Sequence, residues 1–185
     1  MAKKNKKIER SRSGFVNKLL TYFDIYIPLF DEFSRFIVWR ANKYQERLNR
    51  KYAQIDETVK IGEFVTIDRN VKINKQTYVN SYTQIFSSNN ASVKIGKYCA
   101  IGYNVHIKAR THDPSRATGK EHKRIEEDIN IGDNVWIGDN VFIREGVSIG
   151  NNCIIGANAV VTKSFPDNVI IGGVPAKNIG YLKDG

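Results

Sequence analysis

Residues 129–163 read INIGDNVWIGDNVFIREGVSIGNNCIIGANAVVTK, and an aliphatic side chain returns at every sixth position: Ile131, Ile137, Ile143, Ile149, Ile155 and Val161. Two residues ahead of each stands a small or β-branched partner, namely Ile129, Val135, Val141, Val147, Cys153 and Ala159. A period of six suits neither a 3.6-residue helix nor a heptad, whereas two apolar residues spaced by two share one face of a short strand. Each hexad is therefore one strand and one turn. The same columns run upstream, with Ile61, Ile67, Ile73, Val79 and Ile85 behind Val59, Val65, Val71, Thr77 and Thr83, then Ile95, Ile101 and Ile107 behind Val93, Cys99 and Val105. Gly commonly follows the aliphatic residue (Gly62, Gly96, Gly102, Gly132, Gly138, Gly150, Gly156), and Asp-Asn or Asn-Asn pairs come next, all turn-tolerant residues.

The pattern predicts a mainly β chain wound as a parallel β-helix of hexapeptide type. Three hexads make a coil, so near fifteen hexads give about five coils and a prism roughly 24 Å long at about 4.8 Å per stacked strand. Each inward Ile or Val contributes about 1.5–3 kcal/mol by burial, which accounts for the repeat without invoking function. Cys99 and Cys153 fall in the small inward column and read as packing residues.

The chain has 185 residues and a net charge of +10, of which residues 1–54, with 13 Lys/Arg against 5 Asp/Glu, hold +8. Residues 55–185, with 16 basic and 14 acidic side chains, are close to neutral. The basicity thus belongs to an arm. Lys3, Lys4, Lys6 and Lys7 open it as a solvated tail, and from Phe15 to Leu48 apolar residues recur at helical spacing, predicting two helices that meet near Pro28. Asp24, Asp31, Glu32 and Arg35 interrupt its most apolar stretch and argue against a spanning helix. No base-reading motif accompanies the charge, so nucleic acid is not expected. Two destinations remain open: packing on the body or on a neighbouring subunit, and docking on an anionic membrane surface through the aromatics Phe15 to Trp39. Two cysteines and no secretory signal predict a reducing, cytoplasmic location, on the inner face of the membrane if the arm docks there.

The repeat breaks twice. Residues 86–94, FSSNNASVK, insert a short excursion, and between Ile107 and Ile131 the register is lost over a loop at 108–130. A loop of that length in a compact body marks function or disorder. His112, followed by Asp113 and Pro114, sits at its root, where a regular coil can hold it.

Hexads, Thr111-His112 in a loop, then IGDNVWIG, GVSIG, IGANAVVTK and GGVPAKNI, resemble in that order the hexapeptide-repeat acyltransferases of the maltose, galactoside and xenobiotic acetyltransferase type, over roughly residues 59–180. Within that family the sequence is most similar to the O-acetyltransferases of bacterial surface-polysaccharide synthesis. The resemblance implies a left-handed coil, an exception to the usual right-handed crossover, assembled as a homotrimer with acetyl-CoA in a groove between subunits. It implies His112 as catalytic base and Asn80 as its assistant at the acceptor. For acetyl-CoA it implies Trp136 beside the acetyl group, the Asp139 backbone N–H at the thioester carbonyl, Ala157 along the pantetheine, Thr162 and Lys163 at the phosphates, and Lys177 at the nucleotide. No metal is implied. Residues 1–54 do not match the helical domain that gives the maltose-type enzymes an acidic acceptor residue.

The residue types suit this chemistry. A sugar hydroxyl is a poor nucleophile at neutral pH, and a neutral imidazole is suited to take its proton as it attacks a thioester. Other readings stay open: Trp136 as a cover for the outer face, Lys163 as a solvated turn, and Asn80 as a turn residue. N-acetylation of an amino sugar, acetylation of an antibiotic, and a non-catalytic trimeric scaffold are the rival functions. A gamma-type carbonic anhydrase fits poorly, because His106 is outward on a strand and His122 lies mid-loop among charges.

Overall fold

The computed structural model describes residues 30–116 and 123–182. The expected lysine tail, the first helix of the arm with its break at Pro28, and His122 lie outside the described residues. The chain divides into two compact units, Met1–Lys43 and Tyr44–Gly185. In the first, residues 30–43 are helical and expose Phe30, Phe33, Phe36, Ile37 and Trp39. Among the described residues no helix is long and apolar enough to cross a membrane.

In the second unit, helical residues 44–52 lead into the coil. Asn49, buried, donates from Nδ2 to the Val65 carbonyl (2.9 Å) and accepts from the Ile67 N–H (3.3 Å), which pins the helix end to the first coil. Three parallel sheets follow as the faces of a prism. The first face stacks Gln54–Ile55, Val71–Ile73, Val93–Ile95, Ile129–Ile131 and Ser148–Ile149. The second stacks Lys60–Ile61, Tyr78–Val79, Ala100–Ile101, Trp136–Ile137 and Ile154–Ile155. The third stacks Thr66–Ile67, Gln84–Phe86, His106–Lys108, Phe142–Ile143 and Val160–Val161. That makes five coils of three strands, including a rung at Ala53 and Ile55 ahead of the hexads read from the sequence.

Ile55 pairs with Ile73 and Ile131 with Ile149, eighteen residues on, as three hexads require. The two breaks leave the stacking intact: Ile73 pairs with Ile95 and Ile95 with Ile131, so both insertions are looped out at a corner. The inward columns form one buried core from Ala53 to Ala176. Thr77 and Thr83, its polar members, donate to the carbonyls of Gly96 (2.9 Å) and Gly102 (3.0 Å) and accept from the N–H groups of Cys99 and Val105, so neither hydroxyl is orphaned.

The turns divide their labour differently from the expectation. The left-handed residue is the one three after the aliphatic position, with φ near +55° at Asn104, Asn134, Asn140 and Asn152, and also at the bulky Phe64, Tyr82 and Tyr98. The glycine two residues before it serves a close approach instead. A Cβ at Gly62, Gly138 or Gly150 would stand 2.4–2.6 Å from a backbone nitrogen of the next coil.

A terminal hairpin, Val169–Gly173 with Ala176–Tyr181, continues the second face and caps the prism, with a cis peptide at Val174-Pro175. The hexad rule gives no sign of it, because the antiparallel return leaves the period of six.

Candidate active site

Residues after each second-face strand turn the corner toward the third face, and residues after each third-face strand turn the corner toward the first. The predicted site residues divide between these two corners and the second face.

Asn80, Asp139 and Ala157 lie on the second–third corner, following Val79, Ile137 and Ile155. Here a ladder of side-chain acceptors ties one coil to the next: Ser81 Oγ accepts from Glu63 N–H (3.0 Å) and Asp139 Oδ1 from Tyr103 N–H (2.8 Å). On the first–second corner, Asn151 Oδ1 likewise accepts from Asp133 N–H (2.8 Å) and Asp167 Oδ1 from Asn151 N–H (2.8 Å). Above Asp139 the ladder stops, because the matching position is Ala157, which has no acceptor. The Asp139 N–H has no hydrogen-bond partner among the described residues. It is a donor held by a rigid coil and left for something outside the chain.

Trp136 stands outward on the second face, 56% exposed, between Ala100 and Ile154. The short Ala100 leaves a depression of about 230 Å³ that Tyr98 and Leu182 also line. Lys177, exposed on the terminal hairpin and paired with Gly172, ends the same face.

His112, Thr162 and Lys163 belong to the third–first corner. The 108–130 insertion is not wholly irregular, since Arg110–His112 pairs antiparallel with Arg124–Glu126 and brings His112 opposite Arg124. The imidazole is exposed and opens on a hollow of about 250 Å³ lined by Phe86, Lys108, Arg110, Thr111 and Arg124. Just past it, Asp113 accepts from the Ser115 hydroxyl (2.7 Å) and N–H (2.9 Å), and these bonds hold its carboxyl below the usual range. Lys163 Nζ lies 5.7 Å from the Phe165 ring centre, at the other end of the corner. His106 is on the outer side of the third face, where burial, followed by Lys108, lowers its pKa. Burial also raises the thiol pKa of Cys99 and Cys153, in keeping with packing roles.

One chain therefore carries two candidate half-sites on different corners of a prism. The geometry brings His112 into line with Thr162 and Lys163, and Asn80 into line with Asp139 and Ala157, but it does not unite the two sets. Both run in the same order along the axis. Asn80 is in the second coil, His112 follows the third, Asp139 is in the fourth, and Ala157, Thr162 and Lys163 are in the fifth. Sequence reasoning missed Phe86, Lys108, Arg110 and Arg124, which sit on different hexads or in the insertion and meet only when coils stack.

A family model described as bacterial transferase hexapeptide (six repeats) matches residues 128–163. A galactoside acetyltransferase solved in complex with coenzyme A is 33% identical, with a TM-score of 0.69 over 75% of this chain and 70% of that one. A hexapeptide-repeat acetyltransferase of Vibrio cholerae O1 biovar eltor, solved with acetyl coenzyme A, is 26% identical, with a TM-score of 0.65 over 77% and 78%. A polysialic acid O-acetyltransferase is 26% identical, with a TM-score of 0.52 over 69% and 70%. No curated protein matches the sequence. Together with the three stacked faces, these likenesses make the body a left-handed parallel β-helix, against the common crossover hand.

Proposed function

Because the chain belongs to the hexapeptide-repeat acetyltransferases, we propose that it is an acetyl-CoA-dependent O-acetyltransferase acting as a homotrimer on a sugar hydroxyl of a surface polysaccharide or its lipid-linked precursor. The observation that carries this reading is the pair of half-sites in matching axial order. Two copies related by a closed symmetry can set the third–first corner of one against the second–third corner of the next, and a threefold ring repeats that contact without leaving either of these two corners unpaired.

In that groove His112 takes the proton of the acceptor hydroxyl as its oxygen attacks the thioester carbon, and Asn80 of the neighbouring copy orients the acceptor. The Asp139 N–H donates to the carbonyl oxygen as it gains charge. When the carbon–sulfur bond breaks, the leaving thiolate takes the proton back from the imidazolium. Acetyl-CoA supplies the activated acyl group, and the residues fit it: Trp136 flanks the acetyl end, Ala157 leaves room for the pantetheine, and Thr162, Lys163 and Lys177 meet the phosphates and nucleotide. One relative acts on polysialic acid, which supports a glycan acceptor. The basic, aromatic arm supports a lipid-linked acceptor and peripheral contact with an anionic membrane from the cytoplasmic side.

His112→Ala is expected to lower acetyl transfer about 10²–10⁴-fold with coenzyme A binding kept. Co-refolding it in equal amounts with Ala157→Trp, itself expected to be inactive, restores activity at about one quarter of the sites if each site spans two copies. No recovery in the mixture would remove the two-copy site, and unchanged turnover by His112→Ala would remove the base.

A further inference from the structure

The acceptor side of the His112 corner has a charge that neither the hexads nor the proposed chemistry requires. The hollow beside His112 is lined by Lys108, Arg110 and Arg124 and, among the described residues, by no carboxylate. It continues toward the early coils into a cavity of about 600 Å³ that shares Arg110 and Arg124 and adds Arg69, Asp68 and Glu126. That is the end of the corner away from Thr162 and Lys163, so a ligand there shares no residues with the nucleotide end of the groove.

The cavity's acids are already engaged. Asp68 pairs with Arg110 at 3.5 Å and accepts from the Ser87 N–H at 3.2 Å. Glu126 accepts from Asn90 Nδ2 at 2.6 Å, and that bond, ahead of the influence of Arg124 and Arg110, lowers its pKa. Arg69 is stacked 4.7 Å from the Tyr52 ring centre. Lys108 Nζ lies 5.7 Å and 5.9 Å from the ring centres of Phe86 and Phe142. Among the described residues neither Lys108 nor Arg124 forms an ion pair.

Lys108 and Arg124, neither in an ion pair among the described residues, stand with Arg110 beside His112, with Phe86 under Lys108 and Arg110, and this excess of positive charge selects for a ligand that brings its own negative charge. We propose that the acceptor is an acidic sugar, and that its carboxylate or phosphate is held by Arg124 and Lys108 while Phe86 packs under its ring. A guanidinium reads either anion with paired N–H donors. The inference rests on the acetyltransferase reading and adds the class of acceptor to it.

The test uses the full-length protein with acetyl-CoA and three acceptors: a uronic-acid oligosaccharide, the same oligosaccharide after carboxyl reduction, and a hexose phosphate. Transfer to one or both acidic acceptors is expected to exceed transfer to the reduced one by at least about tenfold in kcat/KM, and which of them leads identifies the anion. Arg124→Gln is expected to cut that advantage about 10- to 100-fold, mainly through KM, the range of a lost hydrogen bond to a charged group. The melting temperature and the KM for acetyl-CoA report separately on folding and on the nucleotide end. Equal transfer to acidic and reduced oligosaccharides, or an advantage unmoved in both Arg124→Gln and Lys108→Gln, overturns the charge inference and leaves O-acetylation standing. Coenzyme A binding with no transfer to any of the three sugars overturns the sugar reading and the inference with it.

Discussion

The unpaired Asp139 N–H allows a substitution that completes the fold and damages the chemistry. On the first–second and second–third corners, wherever the next coil offers Asp, Asn or Ser at the matching position, the turn N–H is bonded; Asn151 Oδ1 on Asp133 N–H at 2.8 Å is the pattern to copy. Such a side chain needs a glycine in the coil beneath, as Gly132 lies beneath Asn151. Gly138 already occupies that place beneath Ala157. Ala157→Asn therefore has both the space and the donor it needs. The new bond is worth about 0.5–1.5 kcal/mol to the coil, so the melting temperature holds or rises. In the proposed site a thioester oxygen must then displace that acceptor, which costs at least the same amount, a loss of about 2- to 13-fold in kcat. If the amide is captured outright, the loss approaches the 10²–10³-fold reported by removal of an oxyanion donor, about 2.7–4 kcal/mol. Ala157→Leu, of similar size and without an acceptor, separates this from crowding of the pantetheine path. Thiol release under saturating acetyl-CoA and acceptor measures kcat, and calorimetry measures stability. Equal kcat and equal melting temperature for the Asn and Leu variants would refute the reasoning, because capture of the N–H would then play no part.

Two further expectations follow from the coil and the arm. Gly150→Ala places a Cβ 2.4 Å from the Asp167 nitrogen, whereas at Gly156 the nearest atom is the Ile171 carbonyl oxygen at 3.5 Å; thermal unfolding is expected to show a loss of at least about 1–3 kcal/mol for the first and little for the second. If both behave alike, close approach does not explain the glycines. In the full chain, Phe36→Ser with Trp39→Ser removes two exposed aromatics, and sedimentation with anionic vesicles is expected to fall relative to the unaltered protein, more so at high salt; equal absence of both proteins from the pellet would end the membrane proposal.

The core was legible in the sequence because its period comes from the backbone itself: three hexads close a coil, so Ile131 must lie over Ile95 whatever is inserted between them. Insertions cost register only if they fall inside a strand. Both fall at a corner, which is why the pattern resumes after 86–94 and after 108–130. The role of the glycines is not legible in the hexad alone, for a related reason. A hexad shows Gly and Asn side by side, and only the neighbouring coil distinguishes the residue with positive φ, Asn134 or Asn140, from the one a Cβ would force against backbone. The hairpin from Arg110 to Glu126 and the cationic lining around His112 were hidden because those contacts join residues as far apart as Phe86 and Arg124.

The same distinction governs the site. Resemblance marked eight residues along the chain, and read one after another they suggest one cluster. The period assigns each to a corner or a face before any coordinate is consulted: Asn80, Asp139 and Ala157 follow second-face strands, while His112, Thr162 and Lys163 follow third-face strands. Side chains on different corners of a filled prism cannot meet, because the buried column from Ala53 to Ala176 stands between them. If His112 is the base and the Asp139 N–H the oxyanion donor, as proposed, their separate corners leave a single chain incomplete for acyl transfer, and a second copy would restore it without any change in the fold. On the proposed function association is a condition of catalysis, and dilution below the assembly constant is expected to remove turnover and acetyl-CoA protection together; turnover that persists in the dissociated chain would overturn the two-copy site.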